Sequence, residues 1–315
     1  MKRFIARVLT FLACTAVVVG MSSFIPNPML VERNLLGALP DKIQRLTESS
    51  SPKMVLIGGS NVSFGMNSEL LANHFRQPVH NTALHAGLGL KFMLETCTGK
   101  IAEGDTVVVM PEYSQFQEGY EGSRELVAAL CDVYPEGRKT LDLKQSLHLF
   151  PDFCSYSATK LCQRLRLVQK TSVSRVYTRD SFNQYGDAVL HWDLPQTAFS
   201  DFPPKAPNPK LNEEAFIGLR EFKEHVDSCG AKFVLLPPSL KAVSFENQKS
   251  LIDAITKRLA EQNTEFDAEC KRYRMSDLLF FNTPYHLNGS GVEQRTVKVI
   301  EDLDRILTVM PETSG

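Results

Sequence analysis

Three unbroken apolar runs constrain this chain more than any other feature: Lys53-Met-Val-Leu-Ile57, Asp105-Thr-Val-Val-Val-Met110 and Lys232-Phe-Val-Leu-Leu236. None alternates polar with apolar residues, as a strand with one wet face would. Such runs suit strands covered on both sides, the situation in a parallel sheet between two layers of helices. Segments with helical spacing fall between and after them: Asn67 to Phe75, Leu88 to Ile101, Glu121 to Val133, Asn212 to Ser228, Phe245 to Gln262 and Gly289 to Leu307. Val79-His-Asn-Thr82 and Leu278-Leu-Phe-Phe281 read as two shorter strands. The expected fold is therefore α/β, a three-layer α/β/α sandwich around a mostly parallel sheet of about five strands, with Lys53 to Ile57 in the interior.

The organisation along the chain follows. Residues 1–24 form a hydrophobic segment, 25–51 read as a linker with a short helix, and 52–310 as one α/β domain. An insertion occupies roughly 134–210. Within it Ala158 to Gln169 looks helical, and Arg179 to Pro209, with its five prolines, reads as a long loop. At the N-terminus Lys2, Arg3 and Arg7 precede an apolar stretch from Val8 that meets no charge before Glu32. That layout predicts a single membrane anchor with the N-terminus in the cytoplasm and the body on the extracytoplasmic, periplasmic side. A signal peptide cleaved near Gly20-Met-Ser-Ser23, which would leave a secreted body, and a lipoprotein site at Cys14 are the alternatives.

Composition removes several function classes. Formal net charge is -1, and no run of like charge is long enough to bind a phosphate backbone, so no nucleic-acid partner is expected. Seven cysteines include no CxxC pair, so the spacing supports neither a zinc ribbon nor thioredoxin-like chemistry. Six of them lie outside the hydrophobic segment; buried free thiols and disulfides are both open readings. Neither GxGxxG nor GxxxxGK occurs, so nothing points to a nucleotide, and no cofactor or metal is expected.

Parallel sheets bind ligands beyond the carboxyl ends of their strands, which directs attention to two segments. Gly58-Gly59-Ser60-Asn61 follows the first strand, where a tight turn can present the Ser60 hydroxyl. Asn282-Thr283-Pro284-Tyr285-His286-Leu287-Asn288 opens the final helix. A serine hydroxyl becomes a competent nucleophile when a nearby base takes its proton, and His286 is the candidate base. Glu112, in Pro111-Glu-Tyr-Ser-Gln115 after another strand, reads either as a pocket-lining acid or as an acid at a helix start. His85 reads as a structural neighbour of the site, and His191 and Trp192 as loop packing.

A strand, Gly-Gly-Ser-Asn, and a late histidine opening the C-terminal helix together resemble the SGNH/GDSL hydrolase superfamily. The resemblance follows element order from 53 to 310 and is specific at its two ends. It implies Ser60 as nucleophile and His286 as base, with an oxyanion hole formed by the backbone N–H groups of Ser60 and Gly87, Gly89 being the alternative. The aspartate that usually orients the histidine is missing. Asn282 and Thr283 stand nearby, and the nearest upstream acid is Asp277. The family's asparagine after the third strand is also missing, and Asn61 with Gln115 are the substitutes on offer. The implied activity is that of an exported, tethered serine esterase or O-acyltransferase working through a Ser-His dyad on acyl esters of envelope or extracellular glycans. The competing class is a catalytically weak binding or scaffold component of an envelope polysaccharide assembly, with a protein partner there.

Overall fold

The computed structural model describes residues 1–22, 25–165, 167 and 174–309. Its central sheet has four parallel strands, β1 (Met54–Gly58), β2 (Val79–Asn81), β3 (Thr106–Met110) and β4 (Lys232–Leu235), in the order β2-β1-β3-β4. β1 is an interior strand, as its fully apolar sequence requires. Two further strands of two residues each, β5 (Leu240–Lys241) and β6 (Arg274–Met275), pair in parallel apart from this sheet.

The helices run in chain order as α1 (Lys2–Ser22), α2 (Pro28–Arg33), α3 (Ala38–Glu48), α4 (Ser60–Ser63), α5 (Ser68–Phe75) and α6 (Leu90–Thr98). Then come α7 (Arg124–Val133), α8 (Leu143–Arg164), α9 (Glu213–Ser228), α10 (Ala242–Asn247), α11 (Lys249–Ala260) and α12 (Gly289–Val309). Alternate strand residues enter opposite cores. Val55, Ile57, Val107, Val109, Phe233 and Leu235 join residues of α3, α6, α9 and α11. Met54, Leu56, Val108, Met110 and Val234 join Leu71 of α5 and Val299, Leu303 and Ile306 of α12. Helices thus cover both faces, which explains why β1, β3 and β4 carry no polar alternation.

Four differences from the sequence reading have identifiable causes. The main sheet has four strands, not about five. Leu278 to Phe281 is no strand: Asp277–Leu279 is a 3-10 turn and Phe280 makes one antiparallel bridge to Leu287. Phe280 enters a small separate core with Met275, Leu287 and Val292, Leu279 packs against it, Phe281 joins the main core and Leu278 is exposed. The region read as a linker holds α2 and α3, and Leu35, Leu36, Leu39, Ile43 and Leu46 enter the main core. α8 begins at Leu143 under an Asp142 cap, well before the expected start at Ala158, and continues through Pro151. The expected single helix from Phe245 divides at Gln248, whose side chain turns in to donate to the Pro203 carbonyl (2.7 Å).

α1 spans Lys2–Met21 at a mean hydropathy of 2.1 with none of that stretch buried, so it is long and apolar enough to be a membrane anchor or a signal sequence. Ser23 and Phe24, where the apolar stretch and a cleavage site were expected to end, lie outside the described residues, as do the last positions of the expected helix to Gln169. α1 packs against α8, and the chain just beyond it is fastened to the body. Asn27 N–H donates to Asp132 (2.8 Å), and Arg164 donates to the Pro26 carbonyl (2.7 Å). Asp132 is itself buried, paired with Lys160 (2.5 Å) and bonded by the Tyr156 hydroxyl (3.0 Å).

Candidate functional site

The strand order reverses between β1 and β3, and ligands of parallel sheets bind beyond the carboxyl ends of the strands at such a point. Ser60 follows β1 there and Glu112 follows β3. The turn into Ser60 needs its two glycines for room. A Cβ at Gly58 would lie 2.4 Å from Val62 Cγ2, and one at Gly59 would lie 2.8 Å from Ala86 Cβ and 2.9 Å from Glu112 Oε1. Asn61 locks the turn, its Oδ1 accepting from Gly59 N–H (3.1 Å) and its Nδ2 donating to the Met110 carbonyl at the end of β3 (3.0 Å).

Ser60 is 9% exposed and Glu112 6%. The Ser60 hydroxyl donates to Glu112 Oε1 (3.2 Å), and the Asn61 backbone N–H donates to the same oxygen (3.2 Å). Burial pushes the Glu112 carboxyl up to about 7, against the opposing pull of those two bonds and the Arg295 charge. Arg295 is wholly buried behind the turn, donating to the Asn61 carbonyl and to Met110 Sδ.

His286 comes from a five-residue turn in which Thr283 Oγ1 accepts from the backbone N–H groups of Tyr285 (3.2 Å) and His286 (3.0 Å). That turn brings Asn282 Oδ1 to 2.9 Å from His286 Nδ1, while Asn282 Nδ2 donates to the Tyr177 hydroxyl (2.8 Å). With its NH2 committed to Tyr177, Asn282 presents an acceptor to the ring. Nδ1 therefore carries the proton, and Nε2 is left as an acceptor. The ring stacks on Phe64 (centroids 4.6 Å apart), which closes the same turn that begins at Ser60. Burial, then the nearby His191 and His85, push His286 down to about 3.

The structure thus gathers Ser60, Asn61, Glu112, Asn282 and His286 around the turn from Gly58 to Phe64. No hydrogen bond among the described residues joins Ser60 to His286. Two of the three expected oxyanion donors are engaged elsewhere: Gly87 N–H donates to His85 Nδ1 (3.0 Å), and Asn61 N–H to Glu112. Gln115 Oε1 accepts from Glu112 N–H (2.9 Å) and so braces the loop after β3. His191 packs as expected. It is fully buried, meets Phe64 at 4.8 Å and bonds the Leu287 carbonyl (2.9 Å).

Sequence reasoning missed the bond from Ser60 to Glu112, the contribution of Tyr177, and Arg295. Arg295 did leave a signal, since it lies on the apolar stripe of α12 between Val292 and Val299, where a charge must be buried. All seven cysteines are free thiols. Among the described residues no three His, Cys, Asp or Glu side chains cluster as metal ligands would. Comparison with protein-family models, curated proteins and solved structures finds no match to this chain.

Proposed function

We propose that this chain is a membrane-tethered serine esterase or O-acyltransferase of the SGNH/GDSL type, acting on acyl esters of envelope or extracellular glycans with its body outside the cytoplasm. One observation carries the reading. Ser60 starts a helical turn at the switch point of a parallel sheet, and the Phe64 end of that turn stacks on a neutral histidine whose partner Asn282 leaves Nε2 as an acceptor. A buried serine beside proton-accepting groups is the arrangement that acyl transfer uses. The glycan substrate is inferred from the family resemblance and the tether.

A fluorophosphonate probe tests the reading. The expected result is covalent labelling at Ser60, with Ser60→Ala abolishing both labelling and release of acyl groups from acylated polysaccharide. A second reading, a binding or scaffold component, draws support from the engaged Gly87 and Asn61 N–H groups. Folded protein that stays unlabelled while retaining affinity for the polysaccharide would establish it.

A further inference from the structure

We propose that Glu112, rather than His286, is the catalytic base that takes the proton of Ser60. This inference rests on the acyl-transfer reading above and deepens it. Three observations lead to it. The Ser60 hydroxyl donates to Glu112 Oε1, so the proton to be moved already points at that carboxylate. His286 makes its side-chain bonds through Nδ1, to a neutral amide and a phenol, neither of which stabilises an imidazolium by charge. Glu112 has a cation within its field instead, the buried Arg295, and an ionised form held by the Asn61 N–H.

The groups facing Glu112 are few. Arg295 approaches from α12, and Tyr285 comes from the His286 turn with its hydroxyl accepting from Tyr113 N–H (3.2 Å). Ser60 and Asn61 belong to α4, and Ala86, which packs on Gly59, is preceded by His85. Arg295 favours the anion, burial opposes it, and the balance puts the carboxyl near neutrality, where a general base works best.

In the acylation step the Ser60 O–H bond breaks as Oγ bonds to the acyl carbon, and the proton passes to Glu112 Oε1. The carbonyl electron pair moves onto oxygen, then returns to expel the leaving alcohol, which departs with the proton from Glu112. In the second step water or a sugar hydroxyl gives its proton to Glu112 as its oxygen attacks the acyl carbon. Ser60 Oγ then leaves and recovers that proton.

The test is the pH dependence of fluorophosphonate labelling on the full-length protein in detergent micelles. Wild type should label at Ser60 with a rate that climbs about tenfold per pH unit at low pH and levels off above about 7, as a single carboxyl ionises. E112Q should lose at least about a hundredfold of the plateau rate. E112D should keep a pH midpoint at a lower rate, and His286→Asn should keep the wild-type midpoint. Should E112Q fail to fold, the wild-type midpoint read at two temperatures decides, because a carboxyl's midpoint barely moves with temperature whereas an imidazole's falls on warming. A midpoint that survives in E112Q, or that falls on warming, overturns the role of Glu112 and leaves the serine reading intact. Folded wild type that is unlabelled at every pH removes both.

Discussion

Asn282 accepts the Nδ1 proton of His286 but brings no charge, and the ring it holds stays neutral to about pH 3. A carboxylate in the same place would hold the protonated ring through a charge-assisted bond. Asn282→Asp should therefore raise the His286 pKa by at least about one unit, read from its imidazole resonances by NMR. An unmoved resonance would show that position 282 does not face the ring. The depressed pKa also has a stability consequence. The unfolded chain takes up a proton near pH 6.5 that the folded protein refuses until about 3. Through this residue, stability is lost as pH falls below about 6.5, and Asn282→Asp should lessen that loss. His286 follows a segment that reads as a strand and is none, whereas Ser60 could be placed from the sequence because the end of an apolar strand announces itself in a parallel sheet. The Glu112 contact could not, because it depends on β1 and β3 being neighbours in register, Gly58 opposite Met110, although 52 residues separate the two ends.

At the scale of elements, α3 shows how a polar stretch can be part of the core. Its apolar positions Leu39, Ile43 and Leu46 recur at helical spacing, a pattern hidden among Asp41, Lys42, Gln44 and Arg45. Lys42 lies on the buried side, donating to the carbonyls of Ala83 beyond β2 and of Gly186 in the long loop, with its ammonium 4.1 Å from the Phe182 ring centre. It pins helix, sheet edge and loop together, so burial that depresses its pKa to about 7 is tolerated. Lys42→Met would keep the apolar stem and strand two buried carbonyls. A loss of about 2–4 kcal/mol in denaturant unfolding is expected, and a loss under 0.5 kcal/mol would remove the pinning role. β2, Val79-His-Asn81, is short and mostly polar, whereas β1, β3 and β4 were legible as apolar runs. The division at Gln248 was not, because what breaks that helix is a carbonyl 45 residues away in sequence.

For the whole molecule the first question is which side of a membrane the body occupies. Lys2, Arg3 and Arg7 stand on one side of the apolar stretch, which predicts a cytoplasmic N-terminus and an exported body. An export-dependent phosphatase fused at the C-terminus should be active, and a fluorescent protein that fails after export should be dark. The reverse pattern would refute the orientation. The fastening of Pro26 and Asn27 to Asp132, Gln163 and Arg164 then acquires a mechanical meaning. A body on a loose leash would sweep a hemisphere and meet substrates at any height. On the proposed function, a body held at Pro26 and Asn27 keeps Ser60 at one elevation and one bearing, so a glycan ester would have to be delivered to that level.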